Sequence, residues 1–173
     1  MTRRTAFIYD ETLAEHELSR DHPMKPVRLS YTHELLEAYG AFDVPGTLLE
    51  RPRLASEDEV MSYHSREYVE AVRSLSDGDS TVDARQFNLG PGDNPIYLGM
   101  YDAALLSTGA SLKAAELLST GDADVVFNIS GGLHHAMPGY AYGFCVFNDP
   151  VIAINYLLTQ GMRVVYVDID CHH

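Results

Sequence analysis

Two nearly all-apolar runs constrain this chain more than any other feature: residues 124–129 (DVVFNI) and 163–168 (RVVYVD). Runs so short and so apolar predict strands buried on both faces. A Gly-rich loop, 130–142, follows the first run. Asn148 or Asp149 then caps a helix that holds Pro150 at an early position, where proline is tolerated, and that ends at Gln160-Gly161. Strand, loop, helix and strand in that order predict a βαβ unit, hence a parallel sheet with a right-handed crossover.

The upstream half fits the same layering. Residues 5–9 (TAFIY) predict a first strand and 46–49 a second, shorter one. Two prolines in His22-Pro23-Met24-Lys25-Pro26 predict a turn or extended segment. Leu29, Leu35, Leu36 and Tyr39 are spaced to share one face of a helix over 28–39. Ser56 and Glu59 have the form of a capping box. The helix they open is expected to reach about Leu75, with Val60, Tyr63, Tyr68, Val72 and Leu75 inward. A loop is expected over 81–95, and the clearest helix over 97–118, rich in Ala and Leu. Neither a repeat nor a linker interrupts the chain, so one α/β domain is expected.

Composition narrows the function classes. The 173 residues hold 12 Lys and Arg against 25 Asp and Glu, a net charge of −13. That balance argues against nucleic-acid binding, which wants a basic face. With 46% apolar and only 21% charged residues, the chain can bury a core and is no disordered polyelectrolyte. Cys145 and Cys171 are too few for a disulfide scaffold. No apolar run reaches the roughly 18 residues of a membrane span. The N-terminus meets acid directly after TAFIY and lacks the apolar stretch of a secretory signal. A cytoplasmic protein with no membrane partner is expected.

Three constellations bear chemistry. The first is Asp168-Ile169-Asp170-Cys171-His172-His173. Alternation along an extended chain puts Asp168, Asp170 and His172 on one face, at the carboxyl end of a buried run, where α/β sheets bind ligands. Two carboxylates and an imidazole gathered there repel or stay protonated unless a cation joins them, and carboxylate plus imidazole suits Zn²⁺ or Fe²⁺. The plain alternative is an acidic, His-rich solvated loop. The second is Ser130-Gly131-Gly132-Leu133-His134-His135, whose histidines are candidate ligands or acid–base groups; the alternative is a surface pair on a flexible loop. The third is Tyr142-Gly143-Phe144-Cys145-Val146-Phe147-Asn148-Asp149. Gly143 and Phe144 can form an apolar wall with approachable backbone, while Val146 to Asp149 read as packing and helix capping. Cys145 reads as a small buried apolar residue rather than a nucleophile.

Taken together these blocks resemble the zinc-dependent histone deacetylase family, along essentially the whole chain. His22-Pro23-Met24-Lys25-Pro26, Arg28 and Gly92-Asp93-Asn94-Pro95 resemble its bacterial acetoin-utilisation branch. The resemblance implies a three-layer α/β fold, shared with arginases, in which helices cover both faces of a mainly parallel sheet. It implies hydrolysis of acetyl-lysine in proteins, or of a small acetylated amine, to amine and acetate. Asp170 and His172 then correspond to two of three protein ligands for Zn²⁺, with Fe²⁺ as the other candidate. His134 and His135 correspond to tandem acid–base histidines, and Asp168 to the carboxylate that orients His134, beside a monovalent cation. Gly143 and Phe144 correspond to the acyl-lysine channel, Asp93 to a rim carboxylate that binds substrate, and Arg28 to the internal cavity through which acetate leaves. This chemistry is coherent, since a divalent ion polarises an amide carbonyl and brings the pKa of water to about 7.

The family pattern continues past the position of His173 with a Gly-Asp-Gly block, a second dyad carboxylate, a second channel aromatic, a third ligand and an oxyanion tyrosine. Residues 1–173 are therefore expected to be the N-terminal part of a single deacetylase domain, incomplete at the C-terminus and inactive alone. The alternative is a non-catalytic binding module of deacetylase-like surface. An arginase-like binuclear enzyme fits the fold, but His134-His135 and Gly143-Phe144 suit it less well.

Overall fold

The computed structural model describes residues 3–16 and 18–172, so His173 of the acidic–histidine motif lies outside the described residues. Three strands, β1 (Thr5–Ile8), β2 (Thr47–Glu50) and β3 (Val125–Asn128), form a parallel sheet in the order β2-β1-β3. Thr5 in the central strand lies level with Thr47 on one side and Val125 on the other. Alternation along β1 builds two cores. Ala6 and Ile8 pack on Ala110 and Leu117 of helix α4 (Met100–Ser119), with Ala123. Phe7 and Tyr9 turn the other way, onto Leu13, Ile129 and Leu29 of helix α1 (Val27–Ala38). The sheet is thus the middle of three layers, as expected.

The largest core lies on the α4 side. Tyr68 and Val72 of helix α3 (Arg66–Ser76), Met100 and Leu112 of α4, and Ile152 of helix α5 (Asp149–Thr159) close on Phe147. Burying each of these side chains fully contributes about 1.5–3 kcal/mol. Asn148 caps α5 by accepting the N–H of Val151, with Pro150 in the first turn.

Four expectations are corrected. The capping box of Ser56 and Glu59 forms, but its helix α2 is one turn, Glu57–Val60. The chain turns over 61–65, and Ser65 caps α3 anew by accepting the N–H of Tyr68. His64 lies buried in the break. On α1, Leu29 is buried and Leu36 packs beside it, but Leu35 and Tyr39 face outward, because at about 100° per residue six and ten positions from Leu29 rotate them about 120° and 80° off its stripe. The long helix begins at Met100, after Gly99 in a left-handed conformation, rather than at residue 97.

The fourth correction concerns the βαβ unit. Helix α5 forms, but residues 163–168 join no strand ladder, and Val165 and Val167 are exposed. Among the described residues β3 accordingly has no neighbour on its outer side, and Val125 and Phe127 are half exposed rather than buried. Apolar composition marks a strand's capacity for burial; a strand exists only where a second backbone takes its hydrogen bonds. Among the described residues no helix is long and apolar enough to cross a membrane.

Candidate functional site

The carboxyl ends of β1 and β3 open onto the loops that hold the chemistry. Directly after β3 the chain turns through Ser130 to His135. His134 directs Nδ1 at the carboxylate of Asp168, with which it is hydrogen bonded. A proton on that nitrogen leaves Nε2 of neutral His134 with a lone pair, and Nε2 of His135 lies 3.2 Å from it. Burial, then the neighbouring His134, lower the pKa of His135, so its neutral form is favoured.

Asp168 is reached without a strand. It accepts from His134, from the Tyr166 hydroxyl at 2.8 Å and from the N–H of Asp170 at 3.0 Å. These bonds, that of His134 foremost, hold its carboxyl well below the usual carboxylate range. Asp170 in turn accepts the backbone N–H of His172 at 2.7 Å and lies 2.8 Å from His172 Nδ1. His172 and His135 rings are 6.5 Å apart. His134, His135, Asp168, Asp170 and His172 are therefore one cluster. Cys171, expected on the opposite face, belongs with it: a ligand atom of Asp170, Cys171 and His172 each lies within 4.8 Å of the others. The two consecutive side chain-to-backbone turns at Asp168 and Asp170 replace strand alternation here.

Opposite the histidines stands the wall. Gly143 has φ +49, and a Cβ there would lie 2.5 Å from Cδ2 of His135, so only glycine lets the backbone pass under the imidazole. Phe144 also has positive φ, 72°, held by its N–H to the Asn94 side chain at 3.0 Å. Its ring meets His22 edge-on at 4.5 Å. His22 is 4% exposed and bonds through Nε2 to the Asp93 carbonyl at 3.2 Å. The two proline-flanked blocks are thus joined behind Phe144, a tie that neither block alone shows in the sequence.

Phe144 and Arg28 line one cavity with Leu133, Ser130, Met24 and Leu29, and burial lowers the pKa of the Arg28 guanidinium. Asp93 lies elsewhere, in an outer pocket with Arg85 and Asn94. Tyr142 borders both that pocket and the histidine pocket, its ring 5.9 Å from His135. The candidate residues therefore occupy three connected places: the cluster, the inner cavity and the rim.

Two residues of the site were legible only as packing. Asn148 caps α5, but its amide nitrogen also donates to the carbonyls of His134 and Ala136, at 3.0 Å each. Its own N–H donates to Nε2 of His64 at 2.9 Å. A side chain that serves a helix and a second loop at once leaves no periodic signature. Cys145 is buried, as its neighbours suggested, and burial pushes its thiol up to about 11, so it stays protonated.

The donors fit a divalent transition metal. Asp170 and His172 offer one carboxylate oxygen and one imidazole nitrogen side by side, with Asp168 engaged behind them on His134.

Comparison with known proteins agrees with this geometry. Residues 22–173 match the family described as histone deacetylase domain. The chain is 37% identical over 173 residues to the acetoin utilization protein AcuC of Bacillus subtilis (strain 168), covering 99% of this chain and 44% of that protein. It is 38% identical over 174 residues to histone deacetylase 1 of Homo sapiens, covering 99% of this chain and 36% of that one. Among solved structures, an HDAC homolog complexed with SAHA superposes with a TM-score of 0.86 at 30% identity, over 99% of this chain and 46% of the other. An HDAC homolog from Aquifex aeolicus gives 0.82 at 27% identity, over 92% and 42%. The chain spans less than half the length of each of these four proteins. A family match over residues 22–173, with relatives above one-third identity along nearly the whole chain, makes this protein a member of the histone deacetylase family.

Proposed function

We propose that these residues form the larger part of a site that hydrolyses acetylated amines, either acetyl-lysine in proteins or small acetylated amines. The observation that supports this best is the coupling of His134 to Asp168 with Asp170 and His172 directly behind it. Asp170 and His172 would hold Zn²⁺ or Fe²⁺, and a monovalent cation would stand near Asp168. Such a divalent ion supplies a Lewis acid for the amide carbonyl and the attacking water.

The chain's own residues do the rest. Gly143 and Phe144 guide the acyl stem toward the histidines. Asp93 at the rim accepts hydrogen bonds from the substrate beyond the stem. Asp168 keeps His134 in one tautomer and strengthens its Nε2 as a base. His134 and His135, with Nε2 atoms turned to each other, take a proton from water and return one to the departing amine nitrogen. Water's hydroxyl ends on the acetyl carbon, the C–N bond breaks, and acetate is left beside the cavity where Arg28 stands. Asp170 and His172 would be two of the protein ligands that such an ion takes.

The test is hydrolysis of a panel of acetylated lysine peptides and acetylated polyamines by the full natural protein, with and without chelator. Chelator-sensitive release of acetate supports the reading. A metal-loaded protein that binds these compounds without releasing acetate would replace it with a binding module.

A further inference from the structure

Asp149, the first residue of α5, is 1% exposed, and no ion pair among the described residues includes it. Its partners beyond α5 are all donors. Oδ1 accepts the N–H of Leu133 at 2.8 Å; Oδ2 accepts the N–H of Gly132 at 3.1 Å and the hydroxyl of Ser111. Ser111 itself accepts from the Asn128 side-chain amide at 2.8 Å. The donors run one way, from β3 through α4, and end on this carboxylate. A protonated acid there would need an acceptor, and each neighbouring group is already donating. Burial raises its pKa, and these same bonds oppose that rise.

The loop is pressed onto this network. A Cβ at Gly131 would stand 2.5 Å from Asp149 Oδ2, 2.6 Å from Ser111 Oγ and 2.7 Å from Asn128 Nδ2. Gly132 takes φ +86, which turns its N–H inward. Asp149 therefore grips the two residues before the tandem histidines, while Asn148 grips the carbonyls of His134 and Ala136. Both hands belong to the start of one helix.

We propose that Asp149 is the positioning residue of the tandem histidines: its buried, ionised carboxylate sets where His134 and His135 stand relative to Asp168, Asp170 and His172. It touches no substrate and acts only through the backbone of 132–133. The kinetic part of this rests on the hydrolase reading above; the geometric part does not.

Asp149→Asn is the decisive variant, because it keeps the volume and turns one acceptor into a donor facing N–H groups. In the full natural protein, loaded with metal and held well below its unfolding temperature, kcat on an acetyl-lysine peptide should fall about 100-fold, the effect of displacing reacting groups by about an ångström. KM should stay within about threefold and metal content should be unchanged. Amide hydrogen exchange at Gly132 and Leu133 should quicken at least about tenfold. Ser111→Ala, which removes one donor to Asp149 Oδ2 and loosens the carboxylate, should lower kcat about three- to tenfold and quicken exchange at Gly132 and Leu133 at least about twofold. Unchanged kcat per bound metal, or unchanged exchange at 132–133, in Asp149→Asn would overturn the proposal. If that variant does not fold, Ser111→Ala decides, and kcat and exchange equal to wild type there overturn it. A wild-type protein that hydrolyses no acetylated amine removes the hydrolase reading, and the exchange measurement still decides the role of Asp149.

Discussion

The two halves of the site are held in different ways. The histidine loop is embedded: Ser130, Asn148 and Asp149 are all under 7% exposed, and α4, α5 and β3 each bond to it. The segment of Asp168, Asp170 and His172 is bound chiefly to itself, with Ile169 94% exposed and the His172 side chain 76% exposed. One half is positioned by the fold. The other is positioned by local turns, the contact with His134 and whatever ion or surface lies against it. The proposed acid–base histidines are thus positioned by the fold and the proposed metal ligands by local turns, and the two should fail differently when disturbed.

The sharpest break of that contrast is at the ligands. Asp170→Ala or His172→Ala in the full natural protein should lose nearly all bound zinc and iron and bring hydrolysis to background, because each removes one of few first ligands. Element analysis by mass spectrometry checks this, and wild-type metal content in both variants would end the assignment. His135→Ala should do the reverse. Metal content stays, while turnover falls about 10²–10⁴-fold, the usual loss for a general acid–base group; steady-state rates per bound metal measure it.

The embedded half should also be the acid-sensitive half. His64 is 2% exposed and accepts the Asn148 N–H, between the rings of Tyr63 and Tyr68. Burial holds its imidazole down to about 4, against 6.5 in an unfolded chain. Between those values only the unfolded chain takes up the proton. Stability is complete above about pH 6.5, and its loss on acidification is complete near pH 4, amounting to about 3 kcal/mol. Urea unfolding of the wild type and His64→Gln at pH 7 and 4.5 should show the variant losing less. Smallest is the effect of Gly143→Ala. Positive φ and the approach to His135 should destabilise by about 1–3 kcal/mol, read by thermal unfolding, with metal content preserved.

Much of this was legible in the residues, in uneven measure. The strand-prone run of β1, the capping box and the Asn148 cap were readable because each rests on short-range chemistry, and the parallel sheet was readable from the order of strand and helix signals. The pairing of His134 with Asp168 was readable only as what the family resemblance of the two motifs implies, not from the spacing of either. Three things were not. A strand needs a partner, so 163–168 carries strand composition without a ladder. Cys171 joins Asp170 and His172 because side-chain turns at Asp168 and Asp170 override alternation. The tie of His22 to Asp93 and Phe144 spans 71 residues between His22 and Asp93, and no local pattern encodes such a distance.

The central place of β1 also sets a timetable. Its pairing with β2 needs a partner about forty residues on, but its pairing with β3 closes contacts such as Arg4 with Asp124, 120 residues apart in the chain. At about 5–20 residues per second, a ribosome takes on the order of ten seconds to supply the second partner. Through that interval the Ala6 and Ile8 face waits for Leu117 and Ala123. Non-local parallel pairing of this kind folds slowly and exposes its edge to other chains meanwhile. Yield during synthesis should therefore depend on how quickly the stretch through residue 128 emerges, and slowing translation between β2 and β3 should raise the aggregated fraction.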